Sequence, residues 1–353
     1  MVSTARLTVL GSLNMDISVT VPRLPAPGET VLGGGATFAP GGKGANQAVA
    51  AARLGASVRM VGCVGDDDFG RALRAALRTE GISDDGVRTV PDAPTGLAMI
   101  TVDAAGENVI TVAPGANHEV GAAEIAAVRG APADVLVISA EIPVAAIRAA
   151  LAVDSPAPGN GPAPGNGPVL RVLNLAPAPP EAAGLIAAGV DWLVVNESEA
   201  GAVLGRKVAG LADAARAAAD LTRTGARNAV VTAGPAGAAY CGTREGTGGS
   251  APGQASGEVA GGEPRHPAAD GGVSGAVTVP GFAVRAVDSV GAGDTFAGAL
   301  AAALAAGVAP VDAVIAATAA AATAAARPGT QAGMPRPADV LAVTGHSWPV
   351  PVP

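Results

Sequence analysis

The sequence predicts an α/β fold, in which helices flank a doubly wound, mostly parallel sheet and a small β-sheet forms a lid. From residue 135 onward, short apolar runs alternate with alanine-rich segments, which is typical of βα units in a parallel sheet. Polar residues follow the ends of several of these runs, where open α/β sheets bind ligands. Near the N-terminus, short glycine-rich extended pieces look too exposed for the main core, and they predict the lid.

The main strands are expected at six apolar runs, of which the first ends at Gly11. The lid should take its strands from two regions, about residues 12–38 and residues 95–112, the second being a hairpin around Gly106. The six runs are residues 7–10, 58–62, 135–138, 169–173, 192–195 and 229–232.

We expect a single domain over residues 1–345, followed by a C-terminal tail at residues 346–353. Residues 155–168 contain a direct repeat of Pro-Ala-Pro-Gly-Asn-Gly, and residues 242–276 are mostly Gly, Ala, Pro, Ser and acidic residues. Neither stretch has enough apolar surface to offset the entropy of ordering it, so both are predicted to be flexible surface insertions.

Composition excludes several classes of function. The 353 residues carry a net charge of −8, which argues against a nucleic-acid partner. Two cysteines, Cys63 and Cys241, do not make a disulfide framework and fit a reducing cytoplasm. We expect no signal peptide. The most apolar region, residues 296–326, is interrupted by Pro310 and Asp312, which predicts two helices rather than a membrane span.

The most informative stretch is residues 286–300, in which a Gly-Ala-Gly turn precedes Asp294 and an apolar helix. Gly291 and Gly293 allow a tight turn that leaves backbone N–H groups free at a helix N-terminus, where negative charge is favoured. Asp294 would then be a general base, and the turn amides would hold the charge that develops on a phosphoryl group. The alternative is an Asp that caps the helix after a glycine turn.

A second glycine-rich stretch, residues 41–47, opens the first long helix and places Lys43 and Asn46 at its start. Its glycines would let a ligand approach the backbone, although the pattern is not a Walker P-loop. A glycine-rich helix entry with a solvated lysine is the alternative. Asn14 and Asp16 follow the first strand, where a ligand is expected.

Asn196 and Glu199 lie one helical turn apart after the strand at residues 192–195. Their oxygens would suit Mg²⁺ held through waters. The same spacing fits a capping box, and both interpretations can hold together. The three acids at residues 66–68 are interpreted as helix caps rather than as a metal site.

These motifs together resemble the PfkB carbohydrate kinase family over nearly the whole chain apart from the two insertions. The motif around Asp294 marks the family broadly, whereas residues 41–47 and the pair Asn14 and Asp16 resemble members that phosphorylate ribose. The segments that carry the resemblance are residues 11–16, 27–30, 41–47, 174–178, 196–199 and 287–296.

The resemblance implies that Asp294 takes the proton from the 5-hydroxyl of ribose as that hydroxyl attacks the γ-phosphate of ATP. Gly291, Ala292 and Gly293 would supply the anion hole. The sugar would be held by Asn14, Asp16, Gly42, Lys43, Asn46 and Glu141, together with Asp294. The nucleotide would contact Asn196, Thr232, Gly234, Gly237, Gly293 and Thr318.

The resemblance also implies two metals and a homodimer formed through the lid. Glu199 would act on Mg²⁺ through water, and a monovalent cation, normally K⁺, would activate the enzyme. That K⁺ would be surrounded by Asp288, Val290, Ala324, Arg327 and Gly329, largely through backbone carbonyls.

Two positions depart from the family pattern. Thr318 stands where His or Asn often lies near adenine, and Gly333 replaces a serine that often helps around the cation, which predicts weaker K⁺ dependence. Two alternatives remain beside a ribose kinase: a related kinase for another sugar or a nucleoside, and a sugar-binding regulator without activity. The intact Asp294, Gly291 and Gly293 argue against the regulator.

Overall fold

The computed structural model describes residues 5–153, 169–242, 270–271 and 275–350. The insertion predicted at residues 155–168 lies outside the described residues, and so does most of the one predicted at residues 242–276. Asp270–Gly271 forms a short strand within the second stretch. The start of the predicted C-terminal tail packs on the domain, because the Trp348 indole donates to the Leu54 carbonyl at 2.9 Å.

Fourteen strands in the described ranges form two sheets, one of ten strands and one of four. They are β1 (Arg6–Leu10), β2 (Asn14–Thr20), β3 (Thr37–Gly41), β4 (Ser57–Gly65), β5 (Ser83–Val90), β6 (Gly96–Val102), β7 (Asn108–Ala113), β8 (Val135–Ser139), β9 (Leu170–Asn174), β10 (Val190–Asn196), β11 (Ala226–Thr232), β12 (Gly237–Gly242), β13 (Asp270–Gly271) and β14 (Val277–Pro280).

Helices cover both faces of the large sheet. In the part of the chain that the structure describes, they are α1 (Lys43–Arg53), α2 (Asp68–Thr79), α3 (Ala122–Arg129), α4 (Val144–Leu151), α5 (Ala182–Ala187), α6 (Glu197–Leu204), α7 (Gly210–Thr224), α8 (Ala292–Ala305), α9 (Pro310–Ala325), α10 (Thr330–Gly333) and α11 (Pro337–Thr344).

The large sheet has the order β13-β14-β12-β11-β10-β9-β8-β1-β4-β5. The strands from β11 to β5 pair in parallel, whereas β12, β14 and β13 add an antiparallel edge. The strand order reverses at β1, which pairs with β8 on one side and β4 on the other. Such a reversal opens a crevice at the carboxyl ends of the strands. The predicted fold class is confirmed.

The sheet is buried on both faces, which explains its continuous apolar strands. Along β8, Val135 and Val137 belong to the core cluster that contains α1 and α8, whereas Leu136 and Ile138 belong to the cluster that contains α4. All four side chains are fully buried. Each contributes about 1.5–3 kcal/mol of transfer free energy, so the alternation along one strand ties both helix layers to the sheet.

The apolar region at residues 296–326 forms two helices, α8 and α9, as predicted, and α9 begins at Pro310. Pro suits the first turn of a helix, where its missing N–H has no partner to lose. Alanines and Gly298 allow α8 to lie close to α1, since a Cβ at Gly298 would overlap the Gln47 carbonyl. No helix within the described ranges is long and apolar enough to cross a membrane.

The small sheet has the order β3-β2-β6-β7, and β2 pairs antiparallel with β3 and parallel with β6. The first lid region, predicted at about residues 12–38, ends slightly later in the structure, because β3 begins at Thr37 and continues to Gly41. The sequence did not predict β5, because it begins with Ser-Asp-Asp-Gly, residues that are rare in strands. Asp84 is accommodated there by ion pairs with Arg74 and Arg78.

Candidate active site

The crevice at the strand reversal is built by the close approach of α1 to the end of β1. A Cβ on Gly44 would lie 2.7 Å from the Gly11 Cα, so only glycine lets the helix start pack against this strand end. Gly42 precedes the helix with φ 88°, in the left-handed region. The glycines of this stretch therefore bring Lys43 and Asn46 to the ligand edge of the sheet.

Asp294 lies in the first turn of α8 and is buried. Its carboxylate accepts two hydrogen bonds from α1, namely Asn46 Nδ2 to Oδ2 and Gln47 Nε2 to Oδ1, both at 3.0 Å. Gln47 Nε2 also donates to Asn174 Oδ1 at 2.9 Å. The residue preceding α8 is Gly291, with φ 79°, and Asp294 makes no capping hydrogen bond. The capping alternative therefore does not describe this carboxylate.

The three turn residues before Asp294 differ in what their amides do. The Ala292 N–H donates to the Ser289 carbonyl at 3.2 Å, so this amide is already engaged. Among the described residues, no acceptor receives the N–H of Gly291 or Gly293. Gly293 is exposed. Two of the three predicted amides are thus free to bind an anion at the N-terminus of α8.

A second cluster surrounds Glu141, which follows β8. Ser12 Oγ donates to Glu141 Oε2 at 2.5 Å, and Asn14 Nδ2 donates to the same oxygen at 3.2 Å. The backbone N–H of Lys43 approaches it at 3.4 Å. Asn117 Nδ2 donates to Asn14 Oδ1 at 2.7 Å, which fixes the direction of the Asn14 amide. Residues 12–14 and the start of α1 thus converge on the Glu141 carboxylate, and Asn117 holds one of the donors in place.

Asp16 lies on β2 opposite Ala39 on β3. A Cβ at Gly41, two residues further along β3, would overlap the Asp16 carboxylate. Burial raises the pKa of Asp16 to about 7, and the negative charges of Glu141 and Asp294 add to the shift. The Asp294 carboxylate is the main cause of a raised pKa at Lys43. Asp16, Lys43, Glu141 and Asp294 therefore lie close enough to influence one another's charge.

Asn196 and Glu199 form a reciprocal capping box at the start of α6. The Glu199 N–H donates to Asn196 Oδ1 at 2.9 Å, and the Asn196 N–H donates to Glu199 Oε2 at 2.8 Å. Burial raises the pKa of Glu199, which the positive charge of Lys43 partly offsets. Glu199 therefore caps the helix and also faces the pocket of Lys43 and Asp294.

Besides Asn196 at the end of β10 and Gly293 in α8, the residues predicted to contact the nucleotide lie on β11, at the turn after it and in α9. Thr232 Oγ1 donates to the Val195 carbonyl at 3.4 Å. Gly234 and Gly237 have φ 52° and 112°, which requires glycine, and a Cβ at Gly237 would overlap β14. Thr318 is buried in α9, where its hydroxyl donates to the Val314 carbonyl at 2.8 Å. The Thr318 hydroxyl hydrogen is therefore already donated within α9.

The residues predicted around a monovalent cation come from two segments that the fold joins. The Asp288 carboxylate accepts the N–H of Val290 and the N–H of Gly329, both at 3.0 Å. The Asp288 N–H donates to the Ala325 carbonyl at 3.2 Å. A Cβ at Gly333 would lie 3.3 Å or less from the carbonyl oxygens of Ala324 and Arg327.

Sequence reasoning missed three residues of the site as functional groups. Gln47 and Asn174 belong to motifs of the sequence, but the contacts of Gln47 with Asp294 and with Asn174 depend on how α1 packs in the fold. Gln331, whose Nε2 donates to Asn46 Oδ1 at 3.0 Å, follows a turn and has no signal in the sequence. The described residues contain no group of three His, Cys, Asp or Glu side chains that could hold a metal alone.

The arrangement provides the Asp294 carboxylate as a hydrogen-bond acceptor, free backbone N–H groups at the N-terminus of α8 and a polar pocket beside them. This combination suits phosphoryl transfer, which depends on positioning and on charge stabilisation more than on covalent chemistry. The fold and the site together define a small-molecule kinase.

Comparison with protein families identifies which kind of kinase this is. The model of the pfkB family carbohydrate kinases matches residues 4–260 and 269–337. The chain therefore belongs to the pfkB family of carbohydrate kinases, and it is an enzyme of that class.

Individual relatives cover almost the whole chain. A ribokinase of Haemophilus influenzae is 33% identical over 97% of this chain and 99% of its own length. A ribokinase of Schizosaccharomyces pombe is 35% identical over 84% of each chain. The structure of Arabidopsis thaliana ribokinase complexed with ribose and ATP superposes with a TM-score of 0.74, at 26% identity, over 98% of this chain and 100% of that one.

Proposed function

We propose that this protein transfers the γ-phosphate of ATP to the 5-hydroxyl of D-ribose and yields ribose 5-phosphate and ADP. The observation that carries the proposal is the Asp294 carboxylate, which is buried between Asn46 and Gln47 beside free amides of a helix N-terminus. The relatives named ribokinase and the neighbour solved with ribose and ATP support the choice of substrates.

Asp294 is the proposed general base. Its two oxygens accept from Asn46 and Gln47, so the carboxylate is held in one orientation and can take the proton of a hydroxyl that lies against it. The N–H groups of Gly291 and Gly293 would then stabilise the negative charge that grows on the transferred phosphoryl group. Such preorganised donors are worth more in a pocket shielded from water.

The sugar would lie between β2 and the start of α1. Asp16 and Glu141 would accept from ring hydroxyls, and Lys43, Asn14 and Asn46 would donate to ring oxygens. A site built from buried polar groups rejects a sugar that lacks one hydroxyl, because a buried group is then left unpaired. The small sheet would close over the sugar and exclude water from the transfer.

The nucleotide would lie along the ends of β10 and β11 and reach α8. Thr232, Gly234 and Gly237 would face it, whereas Thr318 would offer only its methyl group because its hydroxyl is engaged. Glu199 fits a magnesium ion held through water, because only its Oε2 accepts a described hydrogen bond and the other oxygen stays available. Mg²⁺ would supply charge neutralisation at the phosphates.

The two segments around Asp288 fit a bound monovalent cation. Carbonyl oxygens of Ala324 and Arg327 lie together next to Gly333, and these are the hard ligands that such an ion prefers. A K⁺ ion there would hold the segment that packs against the anion hole. Gly333 contributes no side-chain oxygen, so we expect moderate activation by K⁺.

We further propose a homodimer formed through the small sheet. Several of its large apolar side chains are exposed, and an apolar patch of this kind marks an interaction surface. A cytoplasmic location agrees with the free, buried thiols of Cys63 and Cys241. The exposed apolar side chains of the small sheet are Phe38, Met99, Val109, Ile110 and Val112.

The test is an assay of ATP-dependent phosphorylation with ribose, deoxyribose, fructose and adenosine, each with and without K⁺. We expect the highest kcat/KM for ribose, with the phosphate on the 5-oxygen by ³¹P NMR, and a moderate rise on addition of K⁺. Preference for another substrate would replace ribose in the proposal. Absence of phosphorylation of all four compounds would overturn it.

A further inference from the structure

Asp294 is connected through Asn46 to a residue outside the sugar and nucleotide positions. Asn46 Nδ2 donates to Asp294 Oδ2, and Gln331 Nε2 donates to Asn46 Oδ1, both at 3.0 Å. Asn46 and Asp294 are buried. Gln331 is half-buried and belongs to α10, far from both in the sequence.

The chemistry of the three groups fixes the direction of this chain of hydrogen bonds. An ionised carboxylate accepts only, so Asn46 must present its NH₂ group to Asp294. The carbonyl oxygen of the Asn46 amide then points toward Gln331 and needs a donor there. Gln331 supplies one, which makes the reversed orientation of the Asn46 amide unfavourable.

The backbone of Gln331 is itself held in place from α1. Arg53 NH1 donates to the carbonyl oxygens of Gln331 at 2.5 Å and of Met334 at 2.9 Å. The same guanidinium makes a two-bond ion pair with Glu80, at 2.9 and 2.6 Å. The start of α1 therefore carries Asn46, which contacts Asp294. The end of α1 carries Arg53, which holds the backbone of Gln331, the residue that contacts the Asn46 amide.

We propose that Gln331 is a positioning residue of the kinase reaction, which acts on Asp294 by orienting the Asn46 amide. The inference rests on the proposed role of Asp294. Gln331 touches Asn46 rather than the base, so its effect must pass through that amide. Gly329, which donates to the Asp288 carboxylate, directly precedes α10. The position of this segment is therefore linked to Asp294 through Gln331 and the Asn46 amide.

The experiment compares Gln331→Met, which removes the donor at similar volume, with Gln331→Glu, which puts an acceptor in its place. We expect kcat for the sugar that the wild type prefers to fall about 10-fold in Gln331→Met and further in Gln331→Glu. In Gln331→Glu, the acid limb of the kcat/KM profile should move to higher pH, because a reversed Asn46 amide presents its oxygen to the carboxylate. Asn46→Ala combined with Gln331→Met should cost less than the sum of the two single changes.

A measurement without substrate separates this proposal from the proposed activity. The side-chain NH₂ resonance of Asn46, assigned by its loss in Asn46→Ala, should exchange with solvent at least about 10-fold faster in Gln331→Met than in the wild type. If the wild type is inactive but the exchange rates differ in this way, the proposed ribose kinase activity is rejected and the contact by which Gln331 orients Asn46 is retained. Unchanged exchange, or an active Gln331→Glu with the wild-type pH profile, would reject Gln331 as a positioning residue.

Discussion

Asn46 and Asp294 are 248 positions apart in the sequence, yet the Asn46 amide donates to the Asp294 carboxylate at 3.0 Å. The bond joins the first turns of α1 and α8, which pack side by side on one face of the sheet. Each helix start would be an ordinary glycine-rich turn by itself. Their contact places a fixed carboxylate next to free amides.

Asp294→Asn tests the proposed base. We expect kcat to fall by about 10³-fold, because the side-chain amide of the new asparagine cannot take a proton from the sugar. Its NH₂ group would also face the NH₂ group of either Asn46 or Gln47. Binding of ribose, measured by calorimetry, should persist. Asp68→Asn, at an exposed helix start, is the matched control and should keep full activity. Near-normal turnover in Asp294→Asn would reject the assignment.

Asp16→Asn tests the electrostatics of the pocket. The pKa of Asp16 is raised to about 7, chiefly by burial. Between the ordinary pKa of an aspartate and that value, the folded protein binds a proton that the unfolded chain lacks, so the stability of the wild type falls as pH rises through this window. The variant cannot ionise and avoids that loss.

In the absence of sugar, Asp16→Asn should therefore melt a few degrees above the wild type at about pH 8, with a smaller difference at about pH 5. Thermal melts at the two pH values measure this. Asp312→Asn, on the exposed start of α9, serves as the control. An equal difference at both pH values would show that Asp16 does not titrate in this window.

Gly41→Ala tests the fit of β3 against Asp16. A Cβ at residue 41 would overlap the Asp16 carboxylate and push it from its position. We expect KM for the sugar to rise by about 10-fold or more, since small displacements of binding groups are costly. Gly35→Ala adds a methyl group with no atom within 4 Å and should leave KM unchanged. Equal KM values in both variants would contradict the close contact.

Ile110→Asp tests the proposed dimer. Ile110 is 47% exposed on β7, and a carboxylate there should abolish association through the small sheet. Analytical ultracentrifugation should show a dimer for the wild type and a monomer for the variant. Leu341→Asp changes a side chain that is 50% exposed on α11 and should remain dimeric. A monomeric wild type would end this proposal.

Local sequence predicted much of the fold because the strands of a buried parallel sheet are short apolar runs. The run at residues 135–138 covers all but the last residue of β8, and the run at residues 192–195 lies within β10. The prediction missed β5, whose polar start is stabilised by Arg74 and Arg78 from α2. No pattern within β5 itself carries that information, since the compensating charges lie on another element.

The sequence by itself determined the fold class, the family resemblance and the residue types of the site, because glycine turns, helix starts and apolar runs are local signals. Only the tertiary structure decided which groups meet: that Gln47 and Asn46 share the Asp294 carboxylate, that the Ala292 amide is already engaged, and that Gln331 reaches Asn46. Hydrogen bonds form over about 3 Å. Such distances between remote segments are set by how helices pack on the sheet, and no spacing along the chain encodes them.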